Sequence, residues 1–252
     1  EESSDDVVAV GQTIKVDYIG KLLDGRVFDT SLLSVALNDA AYPKTLSFTL
    51  RSNTSYTPLS FEVGAGEMIS GFDAAVVGMK IGQTKTVTLT HDEAYGDMDP
   101  TKLVTFQLTE TAPLLRTFAA STFKAEYGAD AATGLTVYDP MYGWEATVLE
   151  YDEQADRVTV KNVPTLNALY RIYGAGSAGW DVMVTGIDSN SDLITLQHQL
   201  DEGDSDMIKG SDGSTFFVTD VDVDAGTAVR NYNTELLGKS LVFTITIVDI
   251  VE

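Results

Sequence analysis

The sequence predicts an α+β protein, mostly β, in which an antiparallel sheet packs on one short helix and a second β-rich domain interrupts the chain. Three observations carry that expectation. Ile14, Val16 and Tyr18 alternate with Thr13, Lys15 and Asp17, and Leu241, Phe243, Ile245 and Ile247 alternate with Val242, Thr244, Thr246 and Val248; that is the period of strands. Met68–Met79 instead spaces Ile69, Phe72, Val76 and Met79 as one face of a helix does. Between Pro100 and Arg230, Gly143-Trp144-Glu145-Ala146-Thr147-Val148 recurs as Gly179-Trp180-Asp181-Val182-Met183-Val184, the mark of a repeated structural unit.

Taken in order, the strand that begins near Gly11 runs to Asp24-Gly25, a dipeptide suited to a tight hairpin, and Arg26–Asp29 starts the return. Ser31–Pro58 has no clear period and reads as a long excursion. Leu59–Val63 is again strand-like and ends at Gly64-Ala65-Gly66, before the Met68–Met79 helix with Gly82 beyond it as a stop. Thr84–Thr90 sets threonines against Val87 and Leu89, a strand with one wet face. The closing strand is apolar on both faces over part of its length, so it belongs in the middle of a sheet. Each Gly-Trp unit has an Asp eight residues after the Trp (Asp152, Asp188) and an alternating run beyond it, and Ser214–Val229 is a looser third copy. A repeated Gly-Trp is expected to form the core of its own hairpin.

Composition narrows the function. The 252 residues are 44% hydrophobic, enough for real cores in two domains. Sixteen basic residues against 38 acidic ones give a net charge of −22, which repels nucleic acid phosphates and anionic lipid alike. There is no cysteine, which removes disulfides, thiol nucleophiles and Cys-ligated zinc, and His91 and His198 have no ligand-spaced companions. No metal and no cofactor is expected. The acidic opening EESSDD fits a mature extracytoplasmic or cell-surface protein that has lost a membrane anchor or signal, with a trimmed cytoplasmic protein as the alternative.

Three segments together resemble the FKBP type of peptidyl-prolyl cis-trans isomerase: VDYIGKLLDGRVFDTS (16–31), PLSFEVGAGEMISGFDAAVVGMKIGQTKTVTLTHDEAYG (58–96) and LLGKSLVFTITIVDIVE (236–252). The resemblance covers about ninety positions. Its junctions, AYGDMDPTKLV and NYNTELLGKSL, are similar to those of SlyD-like isomerases that carry a chaperone domain inserted in the flap; here the insert is about twice as large, as in long archaeal members. It implies a discontinuous isomerase domain, 7–97 with 231–252, an FKBP-like sheet wrapped on one helix, and a β-rich chaperone domain at 98–230. The metal-binding tail of the bacterial relatives is absent.

The resemblance also implies a site. Tyr18, Phe28, Ile69, Phe72, Tyr95 and Phe243 would line an apolar pocket with Phe72 as its floor, Asp29 would contact Tyr18 or the substrate carbonyl region, and Glu67, Met68 and Leu59 would form the rim. The Ile69 N–H and the Tyr95 hydroxyl would hold peptide carbonyls, and Lys44 and Arg51 are both candidates to pair with Asp29. The reaction breaks no bond: an X–Pro amide must cross a resonance barrier of about 20 kcal/mol, and a dry aromatic pocket favours the twisted, less polar form. Partners implied are unfolded or proline-containing polypeptides and FK506-like macrolides. A non-catalytic client-binding chaperone or surface protein on the same scaffold is the alternative. Val221–Gly226 has some likeness to a calcium loop but reads better as a strand with one solvated face.

Overall fold

Ten alternating residues, Thr13–Leu22, form strand β1, with Ile14, Val16, Tyr18 and Leu22 buried and Lys15 in solvent. In the computed structural model, which describes residues 7–173, 179–209 and 214–251, the chain divides into two units. One comprises residues up to Pro100 and from Asn233 onward; the other is Thr101–Tyr232. The divisions lie two to three residues later than the 98 and 230 read from the sequence, because the turn Pro100–Lys102 precedes the first strand of the second unit.

In the first unit β1 is followed by β2 (Val27–Thr30), a one-turn helix α1 (Leu33–Ala36), β3 (Leu59–Glu62), α2 (Ser70–Val76) and β4 (Thr84–Leu89). The final strand, Leu241–Val251, lies between β1 and β4, with Leu241, Phe243, Ile245 and Ile247 buried and Thr244 and Thr246 on the other face bonded to Thr86 and Thr84. β2 and β3 share the other edge of β1: β2 opposite Ile19–Lys21, β3 opposite Thr13–Val16. Phe72, Ala75 and Val76 of α2 pack in one cluster with Val16, Tyr18, Phe243, Ile245 and Ile247 from the sheet. The helix is shorter than Met68–Met79. Ile69 is extended, at ψ 143°, and so is Val77, at ψ 131°; Gly78 then turns at φ +79°. The stop is therefore Gly78, not Gly82, and Met79 reaches the core from a turn.

The excursion at 31–58 is tied down at several points. Val27 N–H donates to Pro43 O at 2.7 Å and Thr45 N–H to Val27 O at 3.0 Å. Glu235, on the returning chain, accepts from Leu46 N–H at 3.2 Å and Ser47 N–H at 2.8 Å.

The second unit repeats one design three times. A run bent at Leu108 and Leu114 makes β5 (Leu103–Gln107), β6 (Thr109–Pro113) and β7 (Leu115–Phe118), then helix α3 (Ala120–Tyr127). Three hairpins follow, each after a short edge strand. β8 (Thr136–Tyr138) precedes β9 (Glu145–Asp152) and β10 (Arg157–Asn162). β11 (Leu169–Tyr170) precedes β12 (Val182–Asp188) and β13 (Leu193–His198). β14 (Asp206–Lys209) precedes β15 (Thr215–Asp222) and β16 (Thr227–Asn231). The hairpins return along the run in reverse order, β10 on β7, β13 on β6 and β16 on β5, giving three four-stranded sheets. The last hairpin thus closes on the first strand, Leu103 opposite Asn231, so the unit begins and ends at one place.

The turns explain the repeat's chemistry. Asp152, Asp188 and Asp222 each accept a backbone N–H two or three residues on, at 2.8–3.0 Å. Four residues after each, Asp156, Asp192 and Gly226 take positive φ of 48°, 57° and 69°. These are side-chain-closed hairpin turns. Val221–Gly226 is therefore the end of β15 and its turn; the reading as a strand holds only to Asp222.

The tryptophans do not sit in their own hairpins. Trp144 is buried with Ala112, Leu114, Val182 and Ile194 of the second sheet, and Trp180 with Leu108, Phe216, Val218 and Ala228 of the third. Each indole locks one sheet to the next, and each is stacked by a tyrosine, Tyr142 at 4.6 Å and Tyr173 at 4.8 Å between ring centroids. The third hairpin has Ser214 in the corresponding place, since it is the last of the series.

Candidate active site

β1, β2, β3, the loop before α2, α2 itself, the 90–96 loop and the final strand each deliver one to three side chains to a cleft of about 390 Å³. Phe72 is its floor. That ring is 3% exposed and meets Tyr18, Phe61 and Phe243 at centroid distances of 5.9, 5.8 and 5.1 Å, the first and last edge-on. Phe28 meets Phe243 edge-on at 5.5 Å. Edge contacts of this kind add about 0.5–1.5 kcal/mol each beyond burial, so the wall is held as a set. Leu59, Met68 and Ile69 complete the apolar lining, and Asp29, Glu67 and Tyr95 supply its polar groups. The structure thus brings all ten sequence-predicted residues to one place.

Two backbone features make the cleft possible. Gly20, on β1, lies against both Phe28 and Phe243: a Cβ there would stand 2.6 Å from Phe28 Cζ and 3.0 Å from Phe243 Cε1. Glu93 shapes the loop that carries Tyr95. Its carboxylate accepts from Thr90 N–H at 2.9 Å and Thr90 Oγ1 at 3.0 Å, while its carbonyl accepts from Gly71 N–H of α2 at 2.9 Å. The backbone bond from Thr90, with the hydroxyl bond after it, holds the Glu93 carboxyl below its ordinary pKa. Neither Gly20 nor Glu93 was singled out in the sequence, because each acts through neighbours fixed only by folding.

The polar side of the cleft is a chain of contacts. Tyr18 Oη donates to Asp29 Oδ2 at 2.6 Å, Thr30 N–H donates to Asp29 Oδ1 at 2.8 Å, and Arg51 Nη2 lies 3.2 Å from Asp29 Oδ1 while also donating to Thr30 O. Arg51, not Lys44, is the partner of Asp29. The Lys44 ammonium is held by Val35 O at 3.0 Å, Tyr42 O at 2.6 Å and Asp39 at 3.0 Å. Arg51 in turn lies over the Tyr56 ring at 4.9 Å, so the excursion supplies a wall of the cleft. Burial, then the Asp29 hydrogen bond, pushes the Tyr18 hydroxyl far above its ordinary pKa; burial and then the Asp29 charge raise Tyr95. Both phenols stay protonated donors at neutral pH. Tyr95 is 48% exposed, so its ring is open to a ligand from the solvent side. The Ile69 N–H, ahead of α2, has no partner among the described hydrogen bonds.

His91 does have companions in space. Its Nδ1 lies 3.0 Å from Asp97 and 3.4 Å from Asp92, in an exposed cluster on the Tyr95 loop. This corrects the sequence reading, in which it stood alone.

The cleft is therefore walled by aromatic rings, with the phenols of Tyr18 and Tyr95 as neutral donors. A family model described as FKBP-type peptidyl-prolyl cis-trans isomerase matches residues 5–114. The short-type peptidyl-prolyl cis-trans isomerase of Methanocaldococcus jannaschii is 42% identical over 94 residues, 37% of this chain and 54% of that protein. FK506-binding protein 4 of Emericella nidulans is 34% identical over 88 residues, 35% of this chain and 14% of that protein. A solved chain titled "Crystal structure of AtFKBP13" is 31% identical, covering 36% of this chain and 61% of that one, with a TM-score of 0.26. The first relative is thus spanned over about half its length. Through its first unit, the chain is thus similar to FKBP-type peptidyl-prolyl cis-trans isomerases.

Proposed function

We propose that this chain is a peptidyl-prolyl cis-trans isomerase (EC 5.2.1.8) acting on proline-containing and unfolded polypeptides, and that its second unit binds the client. One observation carries the catalytic reading: Tyr18, Phe28, Phe72, Tyr95 and Phe243, from five separate segments, form a single cleft walled by aromatic rings. Planar X–Pro amides are stabilised by water at the polarised carbonyl; the twisted transition state is less polar. A cleft that strips water from the amide therefore favours the twisted form, and the Tyr95 hydroxyl and the Ile69 N–H fix the flanking carbonyls. Asp29 anchors Tyr18 and faces the carbonyl that rotates, with Arg51 balancing its charge. Macrolides of the FK506 kind would compete for the same apolar floor.

For the second unit, the support is its separate cores and its exposed apolar side chains, among them Leu149, Val163, Leu166, Leu169 and Ile187. A second client-binding surface on one chain raises the local concentration of client at the cleft.

The test is exchange NMR on a proline tetrapeptide. The parent chain accelerates cis-trans exchange. Phe243→Ala, which opens the wall, lowers kcat/KM by about 10²-fold; Tyr95→Phe, which loses one hydrogen bond, lowers it by roughly 2- to 13-fold. A folded parent that does not accelerate exchange leaves the non-catalytic client-binding reading in its place.

A further inference from the structure

Trp180 and His198 meet inside the second unit, where the His198 side chain has no exposed surface. Nε1 of Trp180 lies 2.8 Å from Nδ1 of His198. An indole N–H can only donate, so Nδ1 is the acceptor and carries no proton. The proton of the neutral ring is then on Nε2, which has no hydrogen-bond partner among the described residues and stands 3.6 Å from Glu110 Oε1. We propose that this hydrogen bond, made within the second hairpin, is an acid-sensitive clasp that holds the Trp180 indole in the core of the third sheet. A proton added to Nδ1 turns the acceptor into a donor, sets two donors face to face, and breaks the one hydrogen bond that the Trp180 side chain can make.

The surroundings do not compensate. Glu110, from β6, faces Nε2 but already accepts from the Tyr173 hydroxyl at 2.9 and 3.1 Å. Arg230, from β16, lies over the rings of Phe106 (β5) and Tyr173 at 4.7 and 5.7 Å and adds positive charge. Phe106 covers the imidazole edge-on at 5.3 Å. Burial depresses the His198 pKa most, Glu110 opposes that, and Arg230 adds to it; the net direction is down. The folded ring thus resists a proton that the unfolded chain accepts. The stability concerned is fully present above the ordinary histidine pKa of about 6.5 and is lost as pH falls below it toward the folded value. Within that window the folding constant of the unit drops about tenfold per pH unit.

The first repeat lacks the device. Asn162 stands where His198 does, two residues past the buried Val160 and Leu196 respectively, and Asn cannot titrate. Acid would therefore act at the Trp180 joint and leave the Trp144 joint alone. The sheet that Trp180 enters is the one in which Leu103 pairs with Asn231, so the device sits in the sheet that closes the unit.

The intact chain has only two imidazoles, so its histidine NMR signals can be followed individually. At pH 7.5 His198 should be the Nε2–H tautomer, and as pH falls toward 5 the Trp180 indole N–H signal should shift or vanish in step with the protonation of His198. Denaturant unfolding of the second unit should weaken about tenfold per pH unit below about 6.5, and His198→Asn should flatten that slope. Trp180→Phe, which keeps the imidazole and removes the opposing donor, should raise the His198 pKa. His198 titrating at its ordinary value with the Trp180 signal unmoved overturns the clasp, as do equal pH slopes in the parent and His198→Asn. If His198→Asn does not fold, the titration of the unaltered chain decides alone.

Discussion

Replacing Gly20 with Ala tests the cleft without removing any group from it. The new Cβ would stand 2.6 Å from Phe28 Cζ and 3.0 Å from Phe243 Cε1, against an ordinary contact of 3.4 Å or more. Phe28 must therefore retreat by about 0.8 Å, and Phe243, edge-on to it, must give by about half that. Overpacking on this scale costs about 1–3 kcal/mol. Both rings are walls of the cleft, and misplacement approaching an ångström can cost up to about 10²-fold in rate. Gly20→Ala is therefore expected to lower kcat/KM on a proline tetrapeptide by at least about tenfold, while the chain remains folded by circular dichroism. Adding Phe28→Leu, which vacates the clashing atoms, should restore part of the loss. A folded Gly20→Ala variant with parental turnover would refute the claim that Phe28 and Phe243 shape the reacting pocket.

Deleting 101–232 and joining Pro100 to Asn233 should leave a folded domain. The flanking residues already meet, Asp99 N–H on Asn233 Oδ1 at 2.9 Å and Asn233 Nδ2 on Asp99 O at 3.0 Å. Tetrapeptide turnover should stay within about twofold, whereas catalysis of proline-limited refolding of a whole protein should slow by about tenfold or more; equal refolding rates would show that the second unit does not hold clients. Glu93 governs an acid limit. Its folded pKa is depressed, so the order it lends the Tyr95 loop is present above the ordinary glutamate pKa of about 4.3 and is lost as pH falls through the folded value. Turnover should decline in that range, and Glu93→Gln should remove that step from the pH profile.

What the residues determined alone is whatever depends on local period and turn chemistry. Alternation at Thr13–Leu22 and Leu241–Val251 marked two strands of one sheet, and apolar character on both faces put the last strand in its interior. The cleft side chains were legible because their spacing within each segment resembles a known family; their meeting at Phe72 was an expectation until the fold brought five segments together. The helix ran too long in that reading because Met79 keeps the helical spacing after Val77 and Gly78 have left the helix. The run Leu103–Ala120 repeats every six residues, with Thr105, Thr111 and Thr117 in register against Val229, Thr195 and Thr159, yet so short a period looks like any strand until its partners are known. Tertiary structure alone decided three things. It chose Arg51 over Lys44, because backbone carbonyls and Asp39 already hold the lysine. It sent each tryptophan into the following sheet, because an indole must bury a large apolar area and the next core supplies the contacts. And it brought the Trp180 indole to His198 Nδ1, where a group that can only donate makes the imidazole nitrogen the acceptor.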